Sequence, residues 1–155
     1  MSARSGIAKA LAEGMAEKIN GTGIYVSNLF GNTTNRVMHF DSITDFPYVS
    51  VTPGTEARDD KPSNFTWSHL TIYIRIYIEN AEDAQLELET LITDIENYVD
   101  TSLRIPYQVQ TTSGVVTRTT ATNNITSIGT DEGLLHPNAL GEIILNVQYE
   151  KIRHV

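Results

Sequence analysis

Between Phe65 and Glu79 the chain reads FTWSHLTIYIRIYIE, and this run restricts the possible folds more than any other segment. Side chains along a strand point alternately to its two faces, so Leu70, Ile72, Ile74, Ile76 and Ile78 form one apolar face that lies on a core. The opposite face carries Phe65, Trp67, His69, Thr71, Tyr73, Arg75 and Tyr77. Rings and arginine with little Lys or Glu are the make-up of protein contact surfaces, not of a solvated strand face. At about 3.3 Å per residue the run reaches roughly 50 Å, against the usual strand of about 5–6 residues. It therefore bends or extends past its own domain. Two readings stay open: the row is a contact between copies of the chain, or the N-terminal helix covers it within one monomer.

A chain of 155 residues fits one domain, and 1–155 is read as a single domain with exposed loops at about 54–64 and 111–124. Cysteine is absent, which removes disulfides, thiolate metal sites and Cys nucleophiles together and suits a reducing cytoplasm. No stretch is long and apolar enough for a signal peptide or a membrane span, so a soluble protein with no membrane partner is expected. The net charge of -8 argues against affinity gained by gripping phosphates, because only 11 basic residues are present. The tightest basic grouping is Lys151, Arg153 and His154 at the C-terminal end. Acidity is compatible with DNA passing close by without being held.

Helical spacing of Ile7, Leu11 and Met15 beside Ala8 and Ala12 predicts an amphipathic helix from Ala3 to Ile19, stopped at Asn20-Gly21. Short strands are expected at Ile24–Val26, Arg36–Phe40 and Tyr48–Thr52, with a turn at Pro53-Gly54. The charged stretch GTEARDDKPSN reads as an exposed, mobile loop leading into the long strand. A second helix, capped by Asn80 with Asp83 three residues on, carries Leu88, Leu91, Ile92, Ile95, Tyr98, Val99 and Leu103 on its apolar stripe and ends before Pro106. Its acidic face, with Glu82, Glu87, Glu89, Asp94, Glu96 and Asp100, reads as solvated. Gln110 to Asn124 is Thr-rich and reads as an exposed hairpin or arm. Ile125 and Ile128 resume the sheet, and Leu140–Glu150 closes it with Ile143, Leu145, Val147 and Tyr149 inward. The fold class expected is α+β: a single mixed, mainly antiparallel sheet with an N-terminal helix and a central amphipathic helix packed on it.

Catalytic and metal-binding patterns are missing from the sequence. His39, His69, His136 and His154 have no ligand spacing, and Gly21-Thr22-Gly23 follows a helix where a phosphate loop would open one. The acidic pairs Asp41/Asp45 and Glu56/Asp59/Asp60 lack the calcium-loop pattern. No enzyme activity, cofactor or metal is expected.

The order of segments, however, has a counterpart. An N-terminal helix, FPYVSVTPGTE, a charged stretch, HLTIYIRIYIEN, the acidic helix DAQLELETLITDIENYV, a Thr-rich excursion and SIGTDEGLLHPNALGEIILNVQYE together resemble the tail terminator family of long-tailed bacteriophages and the related tail-completion and neck proteins. The resemblance spans about Ala8 to Glu150. It implies a homo-oligomeric ring, usually hexameric, that caps the tail tube, stops its polymerisation and offers its other side to the head or neck. The partners implied are the chain itself, the tail tube protein and a head-completion or neck protein, with DNA passing through the lumen unbound. The place implied is the head-proximal end of the virion tail, after assembly in the host cytoplasm.

Within that picture Phe65, Trp67, His69, Tyr73, Arg75 and Tyr77 are the candidate subunit interface, Arg75 pairing with an acid such as Glu96 on a neighbour's helix. Glu56, Arg58, Asp59, Asp60 and Lys61, with Thr117, Arg118 and Thr119, are the candidate tube or neck contacts. A head–tail connector, or a small protein-binding adaptor with a converging polar pocket, is the alternative.

Overall fold

The computed structural model describes residues 2–62 and 64–152. Helix α1 (Ala3–Lys18) opens on Ser2, whose hydroxyl accepts the Ser5 N–H while the Ser5 side chain accepts the Ser2 N–H, a reciprocal cap. A long irregular passage contains the two-residue strand β1 (Thr33–Thr34) and one 3₁₀ turn at Phe40–Ser42. Strands β2 (Tyr48–Asp60) and β3 (Phe65–Glu79) then form a hairpin, followed by helix α2 (Ala84–Thr101). The chain ends with β4 (Pro106–Thr111), β5 (Gly114–Thr119), β6 (Thr122–Thr130) and β7 (Asn138–Ile152).

The main sheet has the order β1-β2-β3-β7-β6, parallel only between β1 and β2, and β4–β5 forms a separate hairpin. This is the expected α+β architecture. Leu70, Ile72, Ile74, Ile76 and Ile78 are fully buried, facing a single core shared with Val49, Val51, Ile143, Leu145 and Val147. Ile7, Leu11 and Met15 of α1 and Leu88, Leu91 and Ile95 of α2 join the same core, so both helices cover one side of the sheet. Helix α1 lies over β1, β2 and β4, and α2 over β3, β6 and β7.

Several expectations are corrected. Gly54–Asp60 is strand, not loop: it stays hydrogen-bonded to β3 through Asp60↔Thr66, and the reversal is confined to the few residues before Phe65. Main-chain pairing holds it extended without apolar side chains, which hydropathy cannot register. Pro53-Gly54 is a register break within β2 instead of a turn. Ile24–Val26 and Arg36–Phe40 form no strand. Asp83, not Asn80, is the N-cap of α2, accepting the Leu86 N–H at 3.0 Å, while the Asn80 carboxamide accepts the N–H groups of Glu82 and Asp83 just ahead of it.

The helix ends at Thr101, leaving Leu103 outside it and exposed. Asp94 is buried instead of solvated, and Pro106 begins a strand. The Thr-rich excursion is the β4–β5 hairpin and the start of β6. It is tied down where Thr120 Oγ1 accepts the Ile105 N–H at 2.8 Å and Asn123 donates to the Ser102 carbonyl at 2.6 Å.

Candidate subunit-contact face

With both helices on one side, the other side of the sheet is left without helical cover. Its centre is β3, because β2 and β7 flank it. Phe65, Trp67, His69, Thr71, Tyr73 and Arg75 are all part-exposed there, and the flanking strands continue the rows in register, with Ser50 and Thr52 of β2 themselves buried. Asp59, Trp67 and Glu150 form one cross-strand row, and Ala57, His69 and Gln148 a second. Thr52, Tyr73 and Ile144 form a third, and Ser50, Arg75 and Glu142 a fourth. The reading in which α1 covers this row is thereby corrected, since α1 lies on the opposite side with Ile7, Leu11 and Met15 in the core.

The chemistry of the face is aromatic with its central charge neutralised. Phe65 and Trp67 meet edge to face with centroids 5.9 Å apart. The Arg75 guanidinium lies 5.2 Å from the Tyr73 ring centroid, and its Nε donates to Glu142 at 3.0 Å. Its acid partner within the chain is Glu142 on the neighbouring strand, where an acid of a neighbour's helix, such as Glu96, was expected. Tyr77 is withdrawn from the row. Its hydroxyl donates to the Met38 carbonyl at 3.0 Å, Phe40 packs edge-on at 5.4 Å, and burial pushes the phenol above its ordinary value.

Glu142, Ile144, Gln148 and Tyr48 belong to this face and were missed in the sequence. The signal was present: strict alternation in β7 puts Glu142, Ile144, Asn146 and Gln148 opposite the recognised apolar set.

The second candidate group splits in two. On the β2 end, Arg58 pairs with Asp60 at 3.3 Å and Lys61 with Asp59 at 3.0 Å. Asp59 faces the open side beside Trp67, whereas Glu56, Arg58 and Asp60 alternate onto the helix side, where the Glu56 carboxylate accepts the Tyr149 hydroxyl. Thr117, Arg118 and Thr119 lie on β5, with Arg118 paired across the hairpin to Tyr107. Arg118 also lines a groove with Tyr149 and Lys151, and Lys151 lies in register with Thr66, so both groups flank the same end of the sheet. Arg153 and His154 lie outside the described residues.

Among the described residues no three His, Asp or Glu side chains come together as a metal set, and no helix is long and apolar enough to cross a membrane. The sheet is thus covered by both helices on one side and carries a part-exposed aromatic row on the other. The profile of the bacteriophage tail tube terminator proteins matches residues 1–155, and the chain belongs to that family. Its function is accordingly tail termination. The tail tube terminator protein p142 of Escherichia phage T5 is 36% identical over 156 residues, covering 99% of this chain and 97% of that protein. A chain from the virion of a native gene transfer agent particle shares the fold with a TM-score of 0.61 at 10% identity, covering 97% of this chain and 96% of that one.

Proposed function

We propose that copies of this chain assemble into a ring, hexameric by family resemblance, that caps the head-proximal end of the tail tube, halts tube growth and presents its far side to the head or neck. The observation that carries this reading is the uncovered aromatic face of β3. A strand buried on one side and part-exposed on the other across Trp67, Tyr73 and Arg75 gains by being covered further, and both helices lie on the other side. Family membership and the printed name of the T5 relative support the tube end as the place of action. The net charge of -8 supports a lumen through which DNA slides unbound. Assembly takes place in the host cytoplasm, needs no cofactor and involves no catalysis.

The test is to add purified protein to tube protein polymerising in vitro, with light scattering and negative-stain imaging of the added protein alone. Shortened tubes with a density at one end, and rings with or without a tube template, are expected. Unchanged tube lengths at saturating protein would overturn the reading.

A further inference from the structure

Two grooves lie at opposite ends of the sheet, and their linings are complementary. The first, about 700 Å³, is bounded by the start of α1, the β4–β5 hairpin and the end of β7. Part-buried Val109 and the buried rings of Tyr107 and Tyr149 line its floor, and Arg4, Arg118 and Lys151 line it beside Glu150. None of these three cations forms an ion pair among the described residues, in a chain whose net charge is -8. Arg4 instead donates to the Gly54 carbonyl. The second groove, about 490 Å³, lies between the passage around Val26 to Phe30 and the start of α2. Its lining holds Glu82, Asp83 and Glu87 and no cation. Three apolar side chains stand out from it into solvent, Val26 at 77% exposure, Phe30 at 71% and Leu86 at 63%.

The two grooves flank opposite ends of β3. Lys151 is in register with Thr66 near its start, and Asn80 follows its last residue Glu79. At about 3.3 Å per residue they stand roughly 45 Å apart. A head-to-tail assembly needs two different, mutually complementary patches on each subunit, and a closed ring follows when the rotation between copies closes.

We infer that the basic groove of one copy receives the acidic, apolar edge of the next, with Leu86 and Phe30 seated on the Tyr107–Tyr149 floor and Glu82 and Glu89 facing Arg118 and Lys151. Glu89 belongs with them because it stands one turn beyond Leu86 on the same exposed stripe of α2. The inference rests on the self-assembly proposed above and adds the surfaces that join the copies. The choice of a second copy as the occupant follows from charge: the one surface demands acid around apolar knobs, and the other end of the same chain supplies it.

Charge reversal with rescue tests it. Arg118→Glu with Lys151→Glu in one variant, and Glu82→Lys with Glu89→Lys in another, each place like charges across the contact. Each alone should self-associate at least about tenfold more weakly by light scattering. An equimolar mixture should recover assembly, because each altered patch then meets its opposite. Circular dichroism checks that both variants are folded, and neither touches a cap of α2.

Where the unaltered protein stays monomeric, the cysteine-free chain allows a second measurement. A double variant, Leu86→Cys with Gln110→Cys, should form a disulfide ladder of multimers under mild oxidation, and the single variants no more than dimers. Reversed variants that assemble like the parent, a mixture that recovers nothing, or the absence of a ladder would each overturn the inference. If those variants still cap tubes, the capping reading stands without it. Loss of capping in the Arg118/Lys151 variant with self-association unchanged would make tube protein the occupant and also overturn the inference.

Discussion

Two acidic side chains hold distant parts of the chain together, and hydropathy hides both. Asp94 falls in the polar row of α2, yet it is 1% exposed, and its carboxylate accepts the N–H groups of Val26 at 3.0 Å and Ser27 at 2.6 Å. Periodicity places a side chain on a helix face but cannot tell an acid facing water from one that satisfies a passing backbone. Asp94→Ala strands two donors and should lower stability by about 2 kcal/mol in urea unfolding, with Asp94→Asn, which keeps one acceptor, in between.

Glu56 is the other, accepting the hydroxyl of Tyr149. Burial first, and then the Glu56 carboxylate, push the Tyr149 phenol far above its ordinary value of 10.0. The unfolded chain therefore ionises this tyrosine before the folded one does. Its contribution is complete below pH 10.0 and is lost as pH climbs from there through the higher folded value. The urea midpoint should fall above that pH, and Tyr149→Phe should start lower at neutral pH but decline less steeply. Tyr98 and Tyr107, shifted the same way by burial, keep a residual slope in that variant.

At the scale of elements, what was legible is what alternation or helical spacing writes in apolar residues. The even face of β3, the inward face of β7 and, Leu103 apart, the stripes of both helices are where the sequence puts them, because each is a row of mostly aliphatic side chains on a core. The second half of β2 was not legible, since Gly54–Asp60 is held by a backbone ladder and by ion pairs along its own edge. The side of the sheet taken by α1 was equally hidden. An amphipathic helix announces that it will cover something, not what.

Its seat is fixed by close approach. At Gly6 a side-chain carbon would strike the Gln108 carbonyl of β4, and at Gly14 the Tyr98 hydroxyl of α2. These two glycines set how near α1 lies to its neighbours. Gly6→Ala faces a main-chain oxygen that cannot swing away and should cost about 2 kcal/mol by urea unfolding, despite alanine's better helix propensity. A midpoint unchanged or raised would show that the helix can shift.

On the scale of the whole molecule the decisive asymmetry is between the two sides of one sheet. Covered on one side by both helices, the sheet shows on the other a face in which Trp67 is part-exposed between Asp59 and Glu150. The chain has a single tryptophan, so this face carries its own spectroscopic reporter. If copies meet through it, the Trp67 emission should move to shorter wavelength as concentration rises or as tube ends are added, because the indole exchanges water for protein. Trp67→Ala should weaken that association or capping by on the order of 2 kcal/mol, the usual cost of removing an aromatic anchor from the centre of a contact. The side chain contributes little to the core on the far side, so urea unfolding of the monomer should change much less than assembly does. An emission that stays fixed while assemblies form would move the contact off this face and leave the charged grooves at the sheet ends as the surfaces that join the copies. Loss of monomer folding in Trp67→Ala, with no separate assembly defect, would make the indole a structural residue of the sheet.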